Sequence, residues 1–137
     1  MKKQSRRSFL GAGTILSVAG ALAALPLLGS AFKKPKGNFV HHVYFWLHNP
    51  DSEADKAKLI EGLQTLKKIK EIRLARIGQP ASTNRDVIER GYAVSWLLFF
   101  DNLDEQEVYQ KHPIHLKFVE NYSHLWSKVI VYDSVDV

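Results

Sequence analysis

The segment "YQKHPIHLKF", residues 109 to 118, gathers Tyr109, His112 and His115 around Pro113. Imidazole changes charge near neutral pH, and a phenol can donate or accept a hydrogen bond as charge develops on a carbonyl oxygen. A tyrosine and a histidine facing one apolar cavity would therefore form an acid–base pair, and Tyr109 and His115 are the candidates. Two more histidines, His41 and His42, are adjacent in "NFVHHVYFWLH", so on a strand they must face opposite ways. His41 shares its face with Val43, Phe45 and Leu47, and His42 shares the other with Tyr44 and Trp46. A plainer reading makes His115 a hydrogen-bonded core residue and His112 a cap for the turn that follows it. The His112–His115 spacing also suits a metal ion with His41 as third ligand. Against that stand the intervening proline and the lack of a nearby inward carboxylate, so no metal or cofactor is expected. Nothing resembles a phosphate loop, a nucleotide fingerprint or a Ser-His-Asp arrangement.

The elements that would hold these side chains follow from pattern. Pro113 disfavours helical geometry at His112 but suits the first turn of a new helix. A short helix capped by Asp101 or Asn102 should thus run to Tyr109–Lys111, and a second should follow the proline. On the second, Ile114, Phe118, Val119, Tyr122, Leu125 and Trp126 recur at helical spacing, and His115 lies with Phe118, Val119 and Tyr122. Lys117, Glu120, Asn121 and His124 fall on the solvent side. Upstream, residues 38–48 read as a strand, residues 53–70 as an amphipathic helix carrying Leu59, Ile60, Leu63, Leu66 and Ile69, and residues 72–77 as a second strand. "ASTNRDVIER" reads as loop, "YAVSWLLFF" as a third strand and "KVIVYDSV" as a fourth. The order β-α-β-β-α-β is that of an α+β, ferredoxin-like protomer. His41, Phe45, Trp96, His112, Phe118, Tyr122 and Trp126 are expected to line the pocket around Tyr109 and His115.

The third strand is apolar on both faces: Val94, Trp96, Leu98 and Phe100 oppose Ala93, Leu97 and Phe99. Helices can cover only one side of such a sheet, and a bare apolar face is rare on monomers. A second copy packed sheet against sheet is the simplest cover, so a homodimer is expected.

The first 31 residues read as a leader rather than as part of this domain, with 32–38 a linker and 39–137 the domain. Ser5-Arg6-Arg7-Ser8-Phe9-Leu10 resembles the twin-arginine export signal, no charge occurs from Ser8 to Phe32, and Gly29 and Ala31 offer a cleavage point. Export, to the periplasm, is expected. The alternative is an uncleaved leader acting as membrane anchor, since about 20 apolar residues span a bilayer. Removal of Lys2, Lys3, Arg6 and Arg7 leaves 15 basic against 14 acidic side chains, so the formal charge falls from +5 to +1. The basic pI therefore makes no case for nucleic acid. Cysteine is absent, which excludes disulfides, thiol catalysis and thiolate metal sites.

"HHVYFWL", "GYAVSWLLFFDN", "YQKHPIHLKF" and "WSKVIVYDSV" together resemble the stress-responsive dimeric A/B barrel (Dabb) family, over about residues 39 to 134. The Tyr-x-x-His-Pro-x-His segment is the most specific part. The resemblance implies a ferredoxin-like protomer whose sheet joins that of a second copy in a dimeric α/β barrel. In the plant polyketide-cyclase branch of that family, the tyrosine and second histidine of the motif serve an intramolecular aldol condensation without cofactor. Those roles would fall on Tyr109 and His115, with a strand-one histidine at His41, or at His42 if the register shifts by one. Acid–base catalysis on a small aromatic or carbonyl-bearing molecule and capture of such a ligand without turnover both fit these residues.

Overall fold

Strict alternation of side chains across a pleated strand makes β1 (Phe39–Leu47) two-faced: every second residue from Phe39 to Leu47 is buried and those between are half-buried. The computed structural model describes residues 39–137, so the expected leader and linker lie outside the described residues. After β1, Ser52 starts α1 (Glu53–Leu66) by accepting a hydrogen bond from the Asp55 N–H at 3.1 Å. This helix buries Leu59, Leu63 and Leu66, and it ends before the expected Lys70. A turn instead carries Ile69 into the core. Gly62 sits where α1 meets the ring of Tyr122; a Cβ there would lie 2.8 Å from that ring.

The chain continues through β2 (Leu74–Gly78), β3 (Val94–Phe100), α2 (Leu103–Lys111), α3 (Pro113–Tyr122), a 3-10 turn (Ser123–Leu125) and β4 (Trp126–Val135). The strands form one antiparallel sheet in the order β2-β3-β1-β4. This is the ferredoxin-like β-α-β-β-α-β arrangement, with its second helix broken in two. The break has the expected cause. His112 is extended at φ −64°, ψ 135°, Pro113 opens α3, and His112 Nδ1 accepts the Ile114 N–H at 3.1 Å. Asn102, rather than Asp101, caps α2 by accepting from the Glu105 N–H.

The end of the second helix departs from its sequence pattern. Leu125 and Trp126 were expected on the helical face, but α3 stops at Tyr122 and Trp126 begins β4 opposite Leu47. Leu125 stays buried because its carbonyl accepts the His48 N–H at 3.0 Å, which ties the 3-10 turn to the end of β1. Pairing to β1 competes with helix continuation here and wins. On the helix side of the sheet, Val43, Phe45, Val94, Trp96, Leu98 and Phe100 pack with Leu59, Leu63 and Phe118. On the other side Tyr44, Trp46, Leu97 and Phe99 are only half-buried.

Candidate functional site

Between the helix side of the sheet and α2–α3 lies a cavity of about 220 Å³. His41, Phe45, Trp96, Tyr109, His115, Phe118 and Trp126 all line it. Each arrives by a different element: His41 and Phe45 from β1, Trp96 from β3, Tyr109 from the last turn of α2, His115 and Phe118 from α3, and Trp126 from the start of β4. Val119, Val129 and Val131 complete its rim and are 38 to 43% exposed, so the cavity opens beside β4. Val119 was expected among the buried positions of its helix; it faces the mouth instead.

Two of the expected pocket residues are elsewhere. His112 is spent on capping α3 and does not reach the cavity. Tyr122 points over Gly62 into a separate groove between α1 and α3, with Thr65, Ile114 and Asn121. His112 sits at the break between α2 and α3, where its ring turns back onto the Ile114 N–H, and Tyr122, on the last turn of α3, packs against Gly62 of α1. Of the adjacent histidines it is His41 that faces the cavity, while His42 lies on the open face, 3.1 Å from the Tyr44 hydroxyl.

The polar groups of the cavity are few and held. Tyr109 is 1% exposed, with its ring centroid 4.7 Å from that of His115 and 6.0 Å from that of His41. Burial raises the phenol pKa well above its ordinary value of 10.0, so Tyr109 stays protonated at neutral pH and can donate. Its oxygen accepts the Trp96 indole N–H at 3.1 Å. His115 Nδ1 lies 3.1 Å from the Gln110 carbonyl. A carbonyl only accepts, so Nδ1 carries the proton and Nε2 is left with a free lone pair. Burial lowers the His115 pKa, with the charges of His41 and His112 adding to it and the Gln110 carbonyl opposing it, so the ring is a neutral base.

Sequence reasoning missed one partner. Asp133 on β4 accepts from His41 Nδ1 at 2.6 Å, across the pairing that sets His41 opposite Asp133. A carboxylate only accepts, so Nδ1 of His41 carries the proton of that bond. The only signal in the sequence was the period-two pattern of "KVIVYDSV", which puts Asp133 on one face with Val129 and Val131. Among the described residues no group of three His, Asp or Glu is placed to hold a metal ion.

No curated protein matches the chain. Among solved structures it is similar to a Dabb family protein with a ferredoxin-like fold from Mesorhizobium loti, at 19% identity and TM-score 0.61, covering 74% of this chain and 98% of that one. A hydroxynitrile lyase from Passiflora edulis gives 17% identity and TM-score 0.60, covering 72% and 93%. A dimeric ferredoxin-like protein of unknown function from Thermobifida fusca gives 15% and 0.59, covering 72% and 90%. Likeness at these identities establishes the fold. The model of the stress responsive A/B barrel domain matches residues 39–136. This chain therefore belongs to the stress responsive A/B barrel (Dabb) family.

Proposed function

We propose that this protein is an exported homodimer whose protomers each bind a small aromatic or carbonyl-bearing molecule and act on it by acid–base chemistry without a cofactor. The observation that carries the reading is the meeting of a donor phenol, Tyr109, and a neutral base, His115, on one apolar cavity also lined by His41, whose ring is held from outside the cavity by Asp133. A cavity of about 150 Å³ admits benzene, so the 220 Å³ here suits a single substituted ring. In such a complex the Tyr109 hydroxyl hydrogen-bonds the ligand oxygen while His115 Nε2 takes a proton from the ligand. Support for the dimer comes from the half-buried apolar face of the sheet and from dimeric proteins of similar fold. Support for export comes from the arginine pair and apolar run of the leader, and Arg6→Lys with Arg7→Lys should hold the precursor in the cytoplasm.

The similarity to a hydroxynitrile lyase supplies a concrete assay. With mandelonitrile, His115 would accept the hydroxyl proton, the carbon–oxygen bond would become a carbonyl and the carbon–cyanide bond would break. Cyanide would leave with that proton as hydrogen cyanide, and benzaldehyde absorbance would report the step. Turnover above the uncatalysed rate, lost in Tyr109→Phe and in His115→Gln with melting within a few degrees of wild type, is the expected result. Saturable benzaldehyde binding without turnover of any aromatic carbonyl would favour ligand capture over catalysis. A stability loss of about 1–3 kcal/mol in both variants with binding unchanged would make the two residues structural.

A further inference from the structure

Tyr109 is buried, yet its hydrogen bonding is only half explained by protein. Its oxygen accepts from Trp96 Nε1–H at 3.1 Å, and no acceptor for its own proton occurs among the described residues. An indole N–H can only donate. With one lone pair occupied by Trp96, the tyrosine hydroxyl is left to act as a donor, and it does so on the wall of the cavity. A buried donor without an acceptor is unfavourable, which asks for an acceptor oxygen in whatever enters. The residues lining the cavity include no lysine, arginine, aspartate or glutamate, so no side chain of fixed charge is there to meet negative charge on that oxygen.

Trp96 itself is held firmly. It is 1% exposed, lies at the centre of the sheet between Val43 of β1 and Ile77 of β2, and belongs to the main core. Its indole is therefore a fixed donor, and a fixed donor behind a phenol both orients the phenol and stabilises charge drawn onto it. We propose that Trp96 is a positioning residue that commits the Tyr109 hydroxyl to donation, so that the cavity wall forms a subsite for an anionic ligand oxygen such as a phenolate or an enolate. This rests on the reading of the cavity as a ligand site. The Trp96 hydrogen bond also acts against the burial that raises the Tyr109 pKa, in keeping with a donor directed at developing negative charge.

A double-mutant cycle on the full chain tests it. The probes are 4-nitrophenolate, at mildly alkaline pH, and nitrobenzene, which has a similar ring but no anionic oxygen. Tyr109→Phe should weaken 4-nitrophenolate binding about tenfold, the size expected for a hydrogen bond to a charged group. Trp96→Phe should weaken it about fivefold, and the double variant no more than Tyr109→Phe alone, because Trp96 acts only through that hydroxyl. Nitrobenzene affinity should change less than twofold in Tyr109→Phe, and equally in Trp96→Phe with and without the tyrosine hydroxyl. Additive losses for 4-nitrophenolate, or equal losses for both probes in Trp96→Phe, would overturn the inference while leaving the pocket intact. Since Trp96 is a core residue, the wild-type protein provides a second measurement. The Trp96 indole N–H resonance should shift with 4-nitrophenolate and not with nitrobenzene, and the absence of that difference would equally overturn the relay. If neither probe binds wild type, the ligand-site reading fails, and this inference fails with it.

Discussion

On the helix-covered face of β1, His41 is 4% exposed and donates to Asp133 across the strand pair, with Phe45 and Val43 beside it. One residue further along, on the bare face, His42 is half-buried against the Tyr44 hydroxyl, opposite Leu97 of β3 and Tyr132 of β4. The residue types are alike; the cover differs. On the first face α2 and α3 close an apolar cavity around a few fixed polar groups. The second face carries Tyr44, Trp46, Leu97 and Phe99 with Tyr92 and Tyr132 at its edges, a large aromatic area with no helix over it. A strand with two apolar faces thus divides its work: one face builds a site, and the other is suited to a second copy.

The largest effects should come from neighbouring β3 residues on opposite faces. Leu98 is fully buried under the helices, and Leu98→Ala should lower the stability of each protomer by about 2–5 kcal/mol, whatever the protein concentration. Leu97→Ala, on the bare face, should instead lower stability in a concentration-dependent way, since what it loses is contact with the partner. Introducing a charge with Leu97→Asp should yield aggregate or unfolded chain, because an unpaired charge cannot be buried in an apolar contact. Denaturant unfolding at several concentrations, with sedimentation, separates the two faces. A wild-type chain that sediments as a compact monomer at micromolar concentration would refute the dimer.

Next in size is the His41–Asp133 pair. Its aspartate side chain is 46% exposed, which weakens the contact by solvent screening. Asp133→Ala, which removes the acceptor, should therefore lower stability by about 1 kcal/mol, the typical value for a single hydrogen bond. An unchanged melting temperature would show that β4 is held by its strand pairing alone.

How far these contrasts can be seen in sequence depends on the range of the interaction behind them. Alternation along β1 and β3, and the helix break at Pro113, are local, and residues 39–47 and 94–100 announce both their strands and their two faces. The seven cavity residues named from sequence and found together, Tyr109 and His115 among them, owe their meeting to that same periodicity and to the family motif. Asp133 was invisible because its link to His41 is set by a strand register 92 residues apart. The Trp96–Tyr109 bond depends likewise on packing between β3 and α2. His112 is taken up by the cap of α3 and Tyr122 packs against Gly62 of α1, contacts that spacing alone does not carry. Helical spacing extended past Tyr122 misplaced Trp126, which pairing with β1 draws into β4.

Acidification offers a smaller effect. Burial holds the His115 pKa below the ordinary 6.5, so the folded ring binds a proton less readily than the unfolded one. The unfolded chain therefore takes up more protons as pH falls, and the stability contributed by neutral His115 is present above 6.5 and lost progressively from there down to the lower folded value. His115→Gln should flatten part of the pH dependence of melting in that window. A variant whose curve parallels wild type from neutral pH downward would show that His115 is not held in its neutral form by the fold.

The finest comparison sets His115 against His42, whose pKa is also lowered, first by burial and then by the nearby His41. No acidic side chain lies opposite it: Leu97 and Tyr132 are its register partners, and the charged residues paired on that face are Arg76, opposite Leu97 on β2, and Lys128, opposite Trp46 on β4. Contact with a second copy would bury His42 further and lower its pKa again, whereas His115 lies within its own protomer. Imidazole resonances followed through a pH titration should then respond to different variables. Dilution to monomer should raise the midpoint of His42 and leave His115 in place. Benzaldehyde in the cavity should move His115 and leave His42 in place. If dilution moves both midpoints, or if benzaldehyde moves both, the two faces of the sheet are coupled through β1 and the separation of site from interface fails.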